Sequence, residues 1–69
     1  MNINGQSLYL AHIEIHSLED GEKNVTRRYV NVWAKDEYEA KEKIANRYNV
    51  TWSSSDYRYA DVLDITEAL

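Results

Sequence analysis

The chain contains no cysteine, which removes disulfides and thiolate zinc ligands together and leaves packing as the source of stability. That composition suits a reducing, cytoplasmic compartment. No stretch approaches the roughly 20 apolar residues of a membrane span, and the N-terminus has no basic start followed by an apolar run, so neither anchor nor signal peptide is expected. Repeats, linkers and low-complexity tracts are missing as well. At 69 residues the chain is expected to form one domain, 1–69, and a domain this small buries only about 60% of its unfolded surface. A thin core between one sheet and one helix fits that size; a deep catalytic cleft does not. The formal net charge of -4 repels phosphate backbones at long range, which disfavours simple nucleic-acid binding and permits steering toward a basic partner.

Residues 33–49 carry the clear helical signal. Asp36 is a good N-cap with Glu39 three residues on, a capping-box spacing, and Glu37 and Glu39 complement the positive end of the helix dipole. Ala40, Ile44, Ala45 and Tyr48 share one face, and Glu39 with Lys43 forms an i,i+4 pair outside it. Asn49 suits the left-handed position that ends a helix.

Ahead of the helix, Met1 to Gln6 reads as a polar lead-in or early edge. Residues 7–17 then alternate, with Tyr9, Ala11, Ile13 and Ile15 on one face and Leu8, Leu10, His12, Glu14 and His16 on the other. Asp20-Gly21 signals a two-residue type I′ hairpin leading to a second strand over 24–34. That loop pairs Glu19 with Glu22, and therefore Glu14 with Arg27, His12 with Tyr29 and Leu8 with Trp33. The opposite face, Ile13, Ala11 and Tyr9 against Arg28, Val30 and Val32, is apolar apart from Arg28 and should lie under the helix. A one-residue slip would set buried-face residues against open-face ones, so turn and pattern specify the same register.

Beyond the helix, Val50-Thr51-Trp52 reads as a loop that tucks Trp52 under the helix end, and Ser53 to Ser55 as a turn. Residues 57–66 favour a strand with Tyr59, Leu63 and Ile65 facing the helix and Ala60 and Val62 facing away. Asp61 would share the helix-facing side, so either it sits at the rim of the sheet or a bulge resets the phase there. The expected fold is α+β, a three-stranded sheet in the order strand-strand-helix-strand with one helix on one face. The helical crossover places the third strand beside the first. Ile13, Val30 and Ile44 are expected at the centre of the core. One helix cannot cover both sides, so Leu8, Leu10, His12, Glu14, Arg27, Tyr29, Asn31 and Trp33 should line an open sheet face.

Few residues suggest chemistry. His12 and His16 lie four apart, but on a strand at about 3.3 Å per residue they are roughly 13 Å apart and cannot share an ion. His12 with Glu14 is closer, yet Arg27 is expected to occupy that carboxylate, so no metal ligand is assigned and no cofactor is expected. Ser53 to Ser55 lack an identifiable base, and no catalytic residue is assigned. The Asn24-Val25-Thr26 and Asn49-Val50-Thr51 sequons need a secretory route that the chain does not show, and read as turn and cap residues. Asp36, Glu37, Glu39, Glu42, Asp56, Asp61, Asp64 and Glu67 invite comparison with a phosphate backbone. Interleaved Lys35, Lys41, Lys43 and Arg47 instead describe a solvated mixed-charge face.

Val32-Trp33-Ala34-Lys35-Asp36-Glu37-Tyr38-Glu39-Ala40-Lys41, a strand ending in Ala followed by a capped helix, resembles the strand-to-helix step of very short phage and mobile-element proteins. Some of these are anti-CRISPR and related anti-defence inhibitors. The resemblance carries no functional residue across; it implies a compact stoichiometric inhibitor that binds a host protein complex in the host cytoplasm without chemistry of its own. The residues themselves point to a non-enzymatic protein-binding module using Leu8, Leu10, His12, Arg27, Tyr29 and Trp33, types that dominate interfaces. A homodimer through this face is an alternative. Another is a nucleic-acid binder in which Tyr29, Trp33, His12, Arg27 and Arg58 clamp single-stranded bases, although no aromatic-glycine RNA-binding signature is present.

Overall fold

In chain order the elements are β1 (Asn2–Ile3), β2 (Gln6–Glu19), β3 (Glu22–Ala34), α1 (Glu37–Tyr48), β4 (Val50–Thr51) and β5 (Tyr57–Glu67). The computed structural model describes residues 2–51 and 55–68. Asp20 and Gly21 both take positive φ, 51° and 78°, the type I′ turn whose twist matches that of its strands. The β2–β3 register follows from it: Glu19 faces Glu22, Glu14 faces Arg27, His12 faces Tyr29 and Leu8 faces Trp33.

The expectation of a three-stranded sheet is corrected. β2 pairs with β3 along one edge and with β1 and β5 along the other, and β4 adds to the far side of β5, every pairing antiparallel. The result is a mostly antiparallel sheet curled into a half-barrel, with one helix. β1 exists because Asn4 (φ 55°) and Gly5 (φ 76°) form a second tight turn of positive φ, folding Asn2–Ile3 back against Gln6 and Ser7 as an early edge rather than a lead-in. β4 exists because Val50-Thr51, read as loop, leaves the helix in position to pair with Arg58 and Tyr57. Trp52, Ser53 and Ser54, and with them the proposed tuck and most of the serine turn, lie outside the described residues.

β5 keeps Ile65 on the covered side as expected but corrects the facing assigned to Tyr59, Ala60, Val62 and Leu63. Its register against β2 shifts between His12 and Ile13, where Asp64 and Val62 are the respective partners and Leu63 is the extra residue. This bulge lets Ala60 and Val62 before it, and Ile65 after it, all pack against the core. Tyr59 and Leu63 are left 39% and 46% exposed. The phase reset that would free Asp61 from the covered side does occur, but at Leu63.

Asp36 caps α1 as expected, its carboxylate accepting from the Glu39 amide at 2.7 Å. Glu39 Oε1 accepts in turn from the Lys35 amide at 3.0 Å; that bond, foremost, and Lys43 hold the Glu39 carboxyl below its ordinary pKa. Asn49 ends the helix in extended rather than left-handed conformation (φ -78°). There its amide donates to Ala45 O and its side-chain oxygen accepts from the Ala60 amide at 3.0 Å. The cap thereby ties the helix end to β5.

The core is small. Ala11, Ile13, Val32, Ala34, Ala40 and Ile44 are buried, with Tyr9, Ile15, Val30, Tyr48, Ala60, Val62 and Ile65 packed around them. Val30, expected at the centre, is only half-buried and Val32 takes its place. The short Lys35-Asp36 connection seats the helix over the C-terminal end of β3. A helix of 12 residues is about 18 Å long, whereas β3, at 13 residues, reaches about 43 Å. The helix therefore covers the base of the β2–β3 ribbon, and Glu22 to Tyr29 are all exposed.

Candidate interaction face

Alternation along β2 and β3 places Leu8, Leu10, His12, Arg27, Tyr29 and Trp33 together on the side of the sheet away from α1. The His12 and Tyr29 rings stack, with centroids 4.4 Å apart and planes within 9°. Tyr29 is 71% exposed, Leu10 39% and Trp33 36%; Leu8 sits half-buried beside Trp33 as its cross-strand partner. Lys43 Nζ donates to the Trp33 carbonyl at 2.7 Å, so the backbone carrying the indole is pinned from the helix side. Rigid aromatics with small rotamer freedom lose little entropy when a partner covers them.

Arg27 borders this group. Its Nε donates to Glu14 Oε2 at 3.1 Å, and His16 Nε2 lies 2.7 Å from Glu14 Oε1. The hydrogen bond from Arg27, then that from His16, hold the Glu14 carboxyl below its ordinary pKa, more than offsetting the partial burial that would raise it. His16 stacks in turn on Tyr59 of β5, centroids 4.9 Å apart, and Tyr59 on Tyr57 at 5.9 Å. The face is thus wider than the six residues chosen from sequence. β5 adds Tyr57, Tyr59, Asp61, Asp64 and Thr66, the partners of Leu18, His16, Glu14, His12 and Leu10. Those additions depend on the bulge at Leu63, which nothing in the alternation of 57–66 locates; the only advance sign was the awkward placing of Asp61.

Across the face, charge is segregated: Lys23 and Arg27 stand on β3, Asp61 and Asp64 on β5. No enclosed cavity opens among the described residues, and none of their helices is long and apolar enough to cross a membrane. Comparisons with protein-family models, with characterised proteins and with solved structures found no match to this chain.

Proposed function

We propose that the chain is a small non-enzymatic binding module that engages a protein partner through the open face centred on Leu8, Leu10, His12, Tyr29 and Trp33, with Arg27 at its margin. The observation that carries this reading is the exposure of Tyr29, Trp33 and Leu10 side by side on a sheet face that the helix leaves uncovered. A flat, part-aromatic surface suits a macromolecule better than a small ligand, which needs concavity. The strand-to-helix step at 32–41 extends the reading to a phage-type inhibitor, anti-CRISPR-like in mode, that occupies a host complex stoichiometrically in the cytoplasm. Asp61 and Asp64 on the same face weigh against a nucleic-acid partner, since a phosphate backbone would meet them directly.

The test compares Trp33→Ala with Tyr38→Ala, an exposed tyrosine (76%) on the helix. Partners captured from a host lysate are reconstituted pairwise with each purified variant, and light scattering on a sizing column separates foreign binding from self-association. Trp33→Ala is expected to keep the native circular dichroism and to weaken assembly by at least about 2 kcal/mol, the usual hot-spot threshold, with Tyr38→Ala binding normally. Undiminished assembly by the Trp33 variant, or loss confined to the Tyr38 variant, would move the interface to the helix.

A further inference from the structure

Beside the aromatic centre, where β2 meets β5, three side chains with metal-ligand chemistry converge. Glu14 and His16 are two apart on β2 and so share a face, and Asp61 is the partner of Glu14 on β5. His16 Nε2 lies 2.7 Å from Glu14 Oε1 and 3.5 Å from Asp61 Oδ2, and one ligand atom from each residue falls within 4.8 Å of the others. In a tetrahedral site with bonds of about 2.0–2.1 Å, neighbouring ligand atoms stand about 3.3 Å apart, a spacing that the two histidine distances bracket. Asp61, with its side chain 58% exposed, has the freedom to close the remaining gap.

Two further contacts prepare the group. Arg27 holds Glu14 by its other oxygen, Oε2, leaving Oε1 turned toward His16; outer hydrogen bonds of this kind orient carboxylate ligands. The Tyr59 ring lies flat against the His16 imidazole, 6° between planes, which fixes the plane of the ring that carries Nε2. All three ligands stand on hydrogen-bonded strands, so little chain order has to be created on binding. Two carboxylates balance the charge of a divalent ion. One imidazole with oxygen ligands and no thiolate fits a zinc-like first-row ion better than Mg²⁺, Ca²⁺ or Cu(I).

We propose that Glu14, His16 and Asp61 form a binding site for one divalent first-row transition ion, with Zn²⁺ as the probe. Each residue supplies one ligand atom, and the remaining coordination position opens on the exposed side of the sheet. The site adjoins the aromatic interface and shares Arg27 with its margin, but takes no ligand from Leu10, Tyr29 or Trp33, so Zn²⁺ binding and partner binding can be tested separately.

Calorimetry and amide-resolved NMR of the full chain titrated with Zn²⁺ in a non-chelating buffer test this. One saturable equivalent is expected, with shifts centred on residues 14–16 and 59–61. His16→Gln and Asp61→Asn are each expected to weaken binding at least about ten-fold, and His12→Gln, a histidine of the same strand outside the group, to bind as the parent does. Should His16→Gln disturb folding, Asp61→Asn still decides the matter, since Asp61 is largely in solvent. Absence of saturation at millimolar Zn²⁺, parent-like affinity in the Asp61 variant, or shifts centred on His12 would each overturn the assignment.

Discussion

Replacing Ile44 with Ala removes the one large buried side chain by which the helix reaches the sheet. Ile44 is 2% exposed and shares its cluster with Ala11, Ile13, Val32, Ala34 and Ala40. Three of these five neighbours are alanines, which have no rotamers through which to move into the vacated volume, so most of the cavity stays open. Isoleucine-to-alanine changes in cores cost about 2–5 kcal/mol, with the larger values at sites that cannot collapse, which places the expected loss here at about 3–5 kcal/mol. A chain of 69 residues, at roughly 0.05–0.15 kcal/mol per residue, holds about 3.5–10 kcal/mol in total. The variant therefore stands close to unfolding at room temperature. Because 1 kcal/mol moves Tm by about 4–8 °C in domains of this size, the midpoint should fall by at least about 12 °C. Urea and thermal unfolding followed by circular dichroism measure this, and Ile44→Val, expected to cost about 0.5–1.5 kcal/mol, supplies a graded control. A fall of less than about 4 °C in the alanine variant would refute the packing argument, because it would mean that the helix is held through a different face.

The other predictions rest on local chemistry. Asp36→Ala removes the acceptor of the Glu39 amide and should cost about 0.5–2 kcal/mol, read from urea midpoints; Asp36→Asn should recover most of it. Gly21→Ala forces a side chain into φ +78° with nothing within 4 Å of the new Cβ, so the cost is backbone strain alone, about 1–2 kcal/mol, and a variant as stable as the parent would show that the turn rearranges. Glu14 has a lower pKa folded than unfolded, so its contribution to stability is complete above the unfolded value of about 4.3 and is lost as pH falls through the folded value. Arg27→Ala should raise the Glu14 pKa in a carbon-detected carboxyl titration and flatten the acid limb of the stability profile; an unmoved titration would disprove the pairing.

What the residues made legible follows the strength of the local signals. Asp20-Gly21 demands positive φ twice, and strict alternation in 7–17 allows only one facing, so the β2–β3 register and the six-residue face followed directly. Asn4-Gly5 carries the same turn chemistry and was equally readable, but too little alternating sequence precedes it to announce a strand. The phase of β5 was not readable. A bulge changes which residues face inward without changing composition, and the strand formers Tyr59, Ala60, Val62, Leu63 and Ile65 tolerate either side. Asp61 and His16 therefore came together only in three dimensions, where cross-strand pairing rather than sequence spacing sets the distance. Asn49 had an extended role for a similar reason, since its side chain found an amide on β5 that no local pattern reveals.

The outer margin of β3 has no strand beside it among the described residues, and over Glu22 to Tyr29 it stands clear of the helix. Its unpaired amides and carbonyls are a template on which the same margin of a second copy can add a strand. Lys23, Arg27 and Arg28 act as gatekeepers along that margin, because antiparallel stacking of two such strands would crowd like charges. The protection is electrostatic and weakens with ionic strength, the screening length shrinking to about 3 Å at 1 M salt. Concentrated salt, not heat alone, is thus the condition expected to favour edge-to-edge association of the folded chain.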